Sequence, residues 1–114
     1  PHQNLGNLLI KTMNRREIIL SEIKENPQNP FNYYLLAVEE RSTGSITSSI
    51  QILYELKLNF PDYHPTYYTL AELLYQSDRN TEATSVAEEG IINAKDLQLL
   101  KVSRELEQLI LLND

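Results

Sequence analysis

The sequence predicts an all-α protein built from antiparallel helical repeats. The segment NYYLLA at 32–37 returns as TYYTLA at 66–71, which is an offset of 34 residues (66 − 32 = 34). Self-similarity at a period of this size is typical of solenoid proteins, whose stacked units share one continuous core. Apolar residues recur at three- and four-residue spacing along the chain, and no segment shows the alternation that a strand requires.

The composition is that of one soluble globular domain. The 114 residues are 41% hydrophobic and 23% charged, with 3 glycines, 5 prolines and no cysteine, so a disulfide or a thiolate metal site is excluded. The net charge of −6 disfavours binding to phosphate backbones and to anionic lipid, so we expect neither nucleic acid nor a membrane as a partner. The longest apolar run, 33–38, is too short to span a bilayer, and no signal peptide is evident; the expected location is cytoplasmic.

The first predicted helix occupies 14–26. Asn14 and Glu17 have the spacing of a capping box, and Pro27 ends the helix because the residue before a proline avoids the α region. Residues 1–13 lack such signals and begin with Pro1. We therefore expect an N-terminal extension that is disordered or not native, with Met13 as the natural first residue or with a longer N-terminus trimmed.

Two helix pairs are predicted next, over 30–63 and 64–96. Pro30 and Pro65 each stand at a first helical position, where the missing N–H costs nothing. The second helix of each pair runs from about 46 to 59 and from about 81 to 94. A last helix, within 97–112, is expected to be capped by Asp96 and has a heptad-like apolar stripe, formed by Leu99, Val102, Leu106, Leu109 and Ile110.

At a period of 34 residues, this pattern resembles the tetratricopeptide repeat (TPR) family, in which each repeat is an antiparallel pair of helices, A and B. The family's large residue, leucine and small residue at repeat positions 4, 7 and 8 are matched in both repeats, by Tyr33, Leu36 and Ala37 and by Tyr67, Leu70 and Ala71. The resemblance implies a right-handed superhelix of about two full repeats, with 14–26 and 97–112 as capping helices. More narrowly, the segment NPQNPFNYYLLAVE resembles short stand-alone bacterial members, for which no biochemical role is settled.

Four residues depart from the family pattern. Leu56 stands where a small residue is usual, Asp78 replaces the turn glycine that Gly44 supplies in the first repeat, and Lys95 replaces a proline. Glu40 stands where an aromatic residue or leucine is usual. We expect looser packing at these points but the same fold.

The resemblance also implies a binding surface, because helix-A positions 2, 5, 9, 12 and 13 line the concave face of such arrays. Tyr34 and Tyr68 stand at position 5. Core packing accounts for the presence of Tyr33 and Tyr67, but it does not account for these second tyrosines. Tyrosine offers a large contact area at a low cost in side-chain entropy, so the groove suits a peptide or protein partner. The candidate partner-binding residues are Phe31, Tyr34, Val38, Arg41, Tyr68, Glu72, Tyr75 and Gln76.

Two alternatives to binding stay open: the last helix folds back into the groove, or the tyrosines pack against a neighbouring helix. The mode in which family members grip a C-terminal carboxylate is not expected, because Tyr34 and Val38 stand where Lys and Asn would be needed.

No catalytic, cofactor-binding or metal-binding constellation is evident. The two histidines are His2 and His64, and His64 stands at a helix start, where we expect a cap. The sequence therefore predicts a non-enzymatic scaffold for protein–protein interaction, without a cofactor. The alternative is a structural module that forms homodimers through its last helix, which carries more apolar residues than one contact face requires.

Overall fold

The computed structural model describes residues 13–114, and this part of the chain forms six α-helices and no strand. The helices are α1 Arg15–Glu25, α2 Pro30–Ser42, α3 Ile46–Asn59, α4 Pro65–Gln76, α5 Asn80–Asp96 and α6 Leu100–Leu112. Each helix packs on the next along the chain, and α4 also contacts α6. The predicted all-α repeat architecture is confirmed, whereas residues 1–12 of the expected extension lie outside the described residues.

Asparagine caps set the start of the first two helices. The Asn14 side chain accepts a hydrogen bond from the Glu17 backbone N–H at 2.9 Å, and the Asn29 side chain accepts one from Phe31 at 3.1 Å. Such caps satisfy an otherwise unpaired helical N–H and are each worth about 1 kcal/mol. The helices α1 and α2 therefore begin close to the predicted positions.

The prediction that Asp96 caps the last helix is wrong. Asp96 is the final residue of α5, and α6 begins only at Leu100, without a side-chain cap from Leu99. The reason is that Lys95 stands at the position of the second repeat where the first repeat has Pro61. Pro61 closely follows the end of α3 at Asn59, whereas α5 meets no proline and continues through Lys95.

The first tyrosine of each pair makes the same contact in both repeats. The Tyr33 hydroxyl donates to the Pro27 carbonyl at 2.7 Å, and the Tyr67 hydroxyl donates to the Pro61 carbonyl at 2.6 Å. Each tyrosine thus ties the start of one helix to the chain segment that follows the preceding helix. This shared bond gives a physical reason for part of the repeated sequence.

The core is tighter in the second repeat than in the first. Tyr67 is 4% exposed and Leu70 is fully buried, whereas Tyr33 and Leu36 at the equivalent positions are half-buried. At Gly90, an added Cβ would lie 2.6 Å from the Cβ of Tyr67, so α5 and α4 are in very close contact. Leu56 occupies the equivalent position in α3.

A cleft of about 560 Å³ lies beside Leu56, between α1, α2 and α3. Its apolar walls include Leu20, Ile23, Tyr33, Leu36 and Phe60. A leucine in place of a small residue fits this looser packing, as expected from the sequence.

Among residues 13–114, two non-glycine residues adopt the left-handed backbone conformation. Asp78 has a φ of 59° and Gln98 a φ of 60°, while Gly44 has 88° at the turn position equivalent to Asp78. A side chain is disfavoured in this conformation by about 1–2 kcal/mol, although Asp tolerates it better than most residues.

We expect Asp78→Gly to raise the free energy of unfolding by about 0.5–1 kcal/mol, because glycine adopts this φ without steric cost. Chemical denaturation measures the change. The matched control is Gly44→Ala, which we expect to lower the free energy of unfolding by about 1 kcal/mol. This loss should come from backbone strain alone, since an added Cβ at Gly44 has open space around it. A loss of stability in Asp78→Gly would contradict this account.

We expect the protein to lose stability at alkaline pH, because three of its tyrosines have a raised pKa in the folded state. Burial raises the pKa of Tyr54, Tyr63 and Tyr67 above 10.0, and a hydrogen bond to Glu82 helps to raise that of Tyr54 to about 12. The folded state therefore holds these protons more tightly than the unfolded chain. Their stabilisation is complete below pH 10 and is lost as the pH rises through the raised pKa of each tyrosine, which is about 12 for Tyr54.

Urea unfolding at a series of pH values should show this loss between about pH 10 and pH 12. In Tyr54→Phe the loss should be smaller, because the residue with the largest of the three shifts no longer titrates. An unchanged pH profile in that variant would contradict the role given to Tyr54.

Candidate partner-binding surface

The second tyrosine of the first pair is held in place by α4 and by the segment before it. The hydroxyls of Tyr34 and Thr69 share a hydrogen bond of 2.7 Å. The Tyr34 ring also packs edge-to-face on Tyr63, with 5.9 Å between ring centroids. Burial raises the pKa of the Tyr63 phenol, and Tyr34 adds to the effect. The Tyr34 ring is therefore half-buried and preorganised.

Tyr68 is freer than Tyr34. It is 37% exposed, and its hydroxyl makes no hydrogen bond within residues 13–114. With respect to the described residues, an external group could contact this ring without the loss of an internal polar contact.

The two position-5 tyrosines line one cavity of about 250 Å³ together with α6. The wall from α6 is formed by Val102 and Glu105, and Val102 lies 34 residues after Tyr68 (102 − 68 = 34). The complete lining is Tyr34, His64, Pro65, Tyr68, Thr69, Val102 and Glu105. The last helix thus borders the space between the tyrosines and does not fill it.

A polar cluster joins α2 to α4 further along the same helices. One guanidinium nitrogen of Arg41 lies 3.0 Å from a Glu72 carboxylate oxygen and 3.4 Å from the Gln76 side-chain oxygen. Both charged side chains are about one-third exposed. Such a partly exposed ion pair contributes at most about 1 kcal/mol to the free energy of unfolding. Its main consequence here is that the Arg41 guanidinium already has a negatively charged partner.

The remaining candidates differ in exposure. Phe31 and Val38 are exposed on α2, at spacings from Tyr34 that place all three on one helical face. Tyr75 is only 8% exposed, and its hydroxyl shares a 2.7 Å hydrogen bond with Thr84 of α5. Tyr75 packs into the core, so we leave it out of the proposed contact surface.

Some lining residues were missed by the sequence analysis. Val102 could have been found, because the 34-residue offset that relates Tyr34 to Tyr68 leads directly to it. Glu105, His64 and Thr69 carry no such signal. His64 occupies the N-cap position of α4 as expected, but its side chain makes no cap hydrogen bond.

Two solved structures similar to this chain come from the bacterium Salinibacter ruber. A solution NMR structure of a tetratricopeptide repeat domain protein aligns with a TM-score of 0.74 and 31% identity, over 77% of this chain and 89% of that one. A crystal structure of a tetratricopeptide repeat domain protein aligns with a TM-score of 0.70 and 30% identity, over 75% of this chain and 96% of that one. No protein-family model and no curated protein matches the sequence.

This chain belongs to the tetratricopeptide repeat family. We propose that α2 with α3 and α4 with α5 are its two TPR helix pairs, and that α1 and α6 are the helices that cover their ends. Within residues 13–114 of this TPR protein, no three His, Asp or Glu side chains are grouped to hold a metal ion. No helix in that range combines the length and hydropathy needed to cross a membrane.

Proposed function

We propose that this TPR protein binds an extended segment of a partner protein in the groove between α2, α4 and α6. As a member of the family it is a helical-repeat scaffold of the kind that generally mediates protein–protein interactions. The finer proposal concerns the groove itself. Its contact residues would be Phe31, Tyr34, Val38, Arg41, Tyr68, Glu72 and Gln76.

The cavity between Tyr34 and Tyr68 is the observation that carries this proposal. A preorganised ring on one helix faces the same space as an accessible ring on the next. Binding at such a site loses little side-chain entropy, and tyrosine is enriched among the residues that dominate interface energies. Exposed Phe31 and Val38 extend the apolar surface along α2.

The proposed scaffold is not an enzyme and needs no cofactor. The groove presents tyrosines, His64, one glutamate from α6 and the paired Arg41, and within residues 13–114 no hydrogen bond joins His64 or Glu105 to a side chain that could act as a nucleophile. These groups suit recognition better than bond cleavage.

Selection of displayed random linear peptides against the purified protein would test the proposal. We expect Tyr68→Ala to weaken the selected peptides by about 30-fold, the loss typical of an aromatic hot spot. Ile92→Ala is the matched control, because Ile92 is an exposed apolar residue of α5 outside the cavity lining. If Ile92→Ala weakened the peptides as much as Tyr68→Ala, the groove would not be the binding surface.

A second candidate function is self-association through α6. Leu111 and Leu112 at its end are 71% and 83% exposed, and Leu100 at its start is also exposed. Exposed leucines grouped on one helix often mark an interface.

Light scattering behind a sizing column, over a concentration series, would test self-association. A dimer that dissociates when Leu111 and Leu112 are both replaced by serine would support it. A strictly monomeric protein at high concentration would reject it.

A further inference from the structure

We propose that the cavity between Tyr34 and Tyr68 takes a lysine or arginine side chain of the partner segment, with its charge directed to Glu105. This inference rests on the proposed function and specifies the chemistry of the partner. The cavity combines two aromatic rings, the apolar Pro65 and Val102, the polar His64 and Thr69, and a single carboxylate from Glu105. This combination fits an aliphatic stem that ends in a cation.

The size of the cavity suits one side chain. Its volume of about 250 Å³ is below the roughly 300–1,000 Å³ of pockets for drug-sized ligands. The space is nevertheless large enough for a long side chain that enters from an extended backbone lying across the groove.

The aromatic walls favour a cation over a neutral group. A lysine or arginine placed against the face of a tyrosine ring is attracted by the ring quadrupole. The ring of Tyr34 is already held by Thr69 and Tyr63, so it need not be ordered when the partner binds. Tyr68 supplies the second, more accessible ring.

The charges around the groove also select a positive group. Glu105 makes no ion pair with any residue of 13–114, although Lys101 lies one helical turn before it on α6. The positive charge of Arg41 is taken up by Glu72, 3.0 Å away. With a net charge of −6, the whole chain also attracts a basic segment during its approach.

The test uses peptides selected from a display library against the full chain. Each selected peptide is also synthesised with its basic residue replaced by norleucine. We expect selected sequences to be enriched in lysine and arginine, and the norleucine forms to bind about tenfold more weakly. Glu105→Gln should weaken the basic peptide about tenfold and leave the norleucine peptide unchanged, as a double-mutant cycle requires.

Glu107→Gln is the matched control, because it makes the same charge change on the same helix, outside the cavity lining and beside Lys95. It should leave both affinities unchanged. Circular dichroism would check that each variant keeps the helical fold.

Peptides that lose affinity in Tyr68→Ala but show no basic enrichment would overturn this inference and leave the proposed function intact. The same holds if Glu105→Gln weakens the basic and norleucine peptides equally. If no selected peptide were weakened by Tyr68→Ala, the proposed function would fail and this inference with it.

Discussion

Replacing Leu70 by alanine is expected to lower the free energy of unfolding by about 3–4 kcal/mol. Leu70 is fully buried, and it belongs to the same core cluster as the fully buried Leu53 of α3 and Ala87 of α5. The loss combines the transfer free energy of the removed atoms with the cost of a cavity that tightly packed neighbours cannot fill. Because a domain of this size has a total stability of about 5–15 kcal/mol, the change should be prominent in urea unfolding.

The matched control is Leu36→Ala at the equivalent position of the first repeat. Leu36 is half-buried and borders the cleft of about 560 Å³, so its truncation enlarges an existing space. We expect about half the loss seen for Leu70→Ala, since less apolar area returns to water. Equal losses at the two positions would contradict the conclusion that the first repeat is more loosely packed.

The second large effect is expected at Gly90, where Gly90→Ala should lower the free energy of unfolding by about 2–3 kcal/mol. The added Cβ would lie 2.6 Å from the Cβ of Tyr67 and 2.9 Å from a methyl group of Leu106. The Tyr67 Cβ cannot move away unless α4 itself moves, so the overpacking should exceed the gain of about 1 kcal/mol from alanine's helix propensity.

Thermal or urea unfolding of Gly90→Ala measures the balance between these two effects. A variant with wild-type stability would show that α4 and α5 separate at little cost. In that case close helix packing would not explain why glycine occupies this position.

The helices and their repeat follow from short-range signals. The start and end of a helix depend on adjacent residues, such as the caps Asn14 and Asn29 and the prolines near the helix ends. Most helix boundaries could therefore be predicted from the sequence. The error at Asp96 has the same origin. An aspartate before an apolar stripe resembles an N-cap, but without a proline the preceding α5 continues and includes it.

The candidate site was less predictable, because it depends on contacts between helices far apart in the chain. Family position alone assigned Tyr75 to the groove, whereas the structure buries it in the core, with its hydroxyl hydrogen-bonded to Thr84. The sequence also did not decide whether α6 would fill the groove. The answer depends on how Val102 and Glu105 pack across α4, which no local pattern specifies.

The groove between Tyr34 and Tyr68 is the surface proposed to receive a partner. The most direct measurement is an NMR titration of the isotope-labelled chain with a peptide selected against it. We expect chemical-shift changes at Tyr34, Tyr68 and Val102. Shift changes confined to exposed Leu58 of α3 and Ile92 of α5, with the groove residues unaffected, would contradict it.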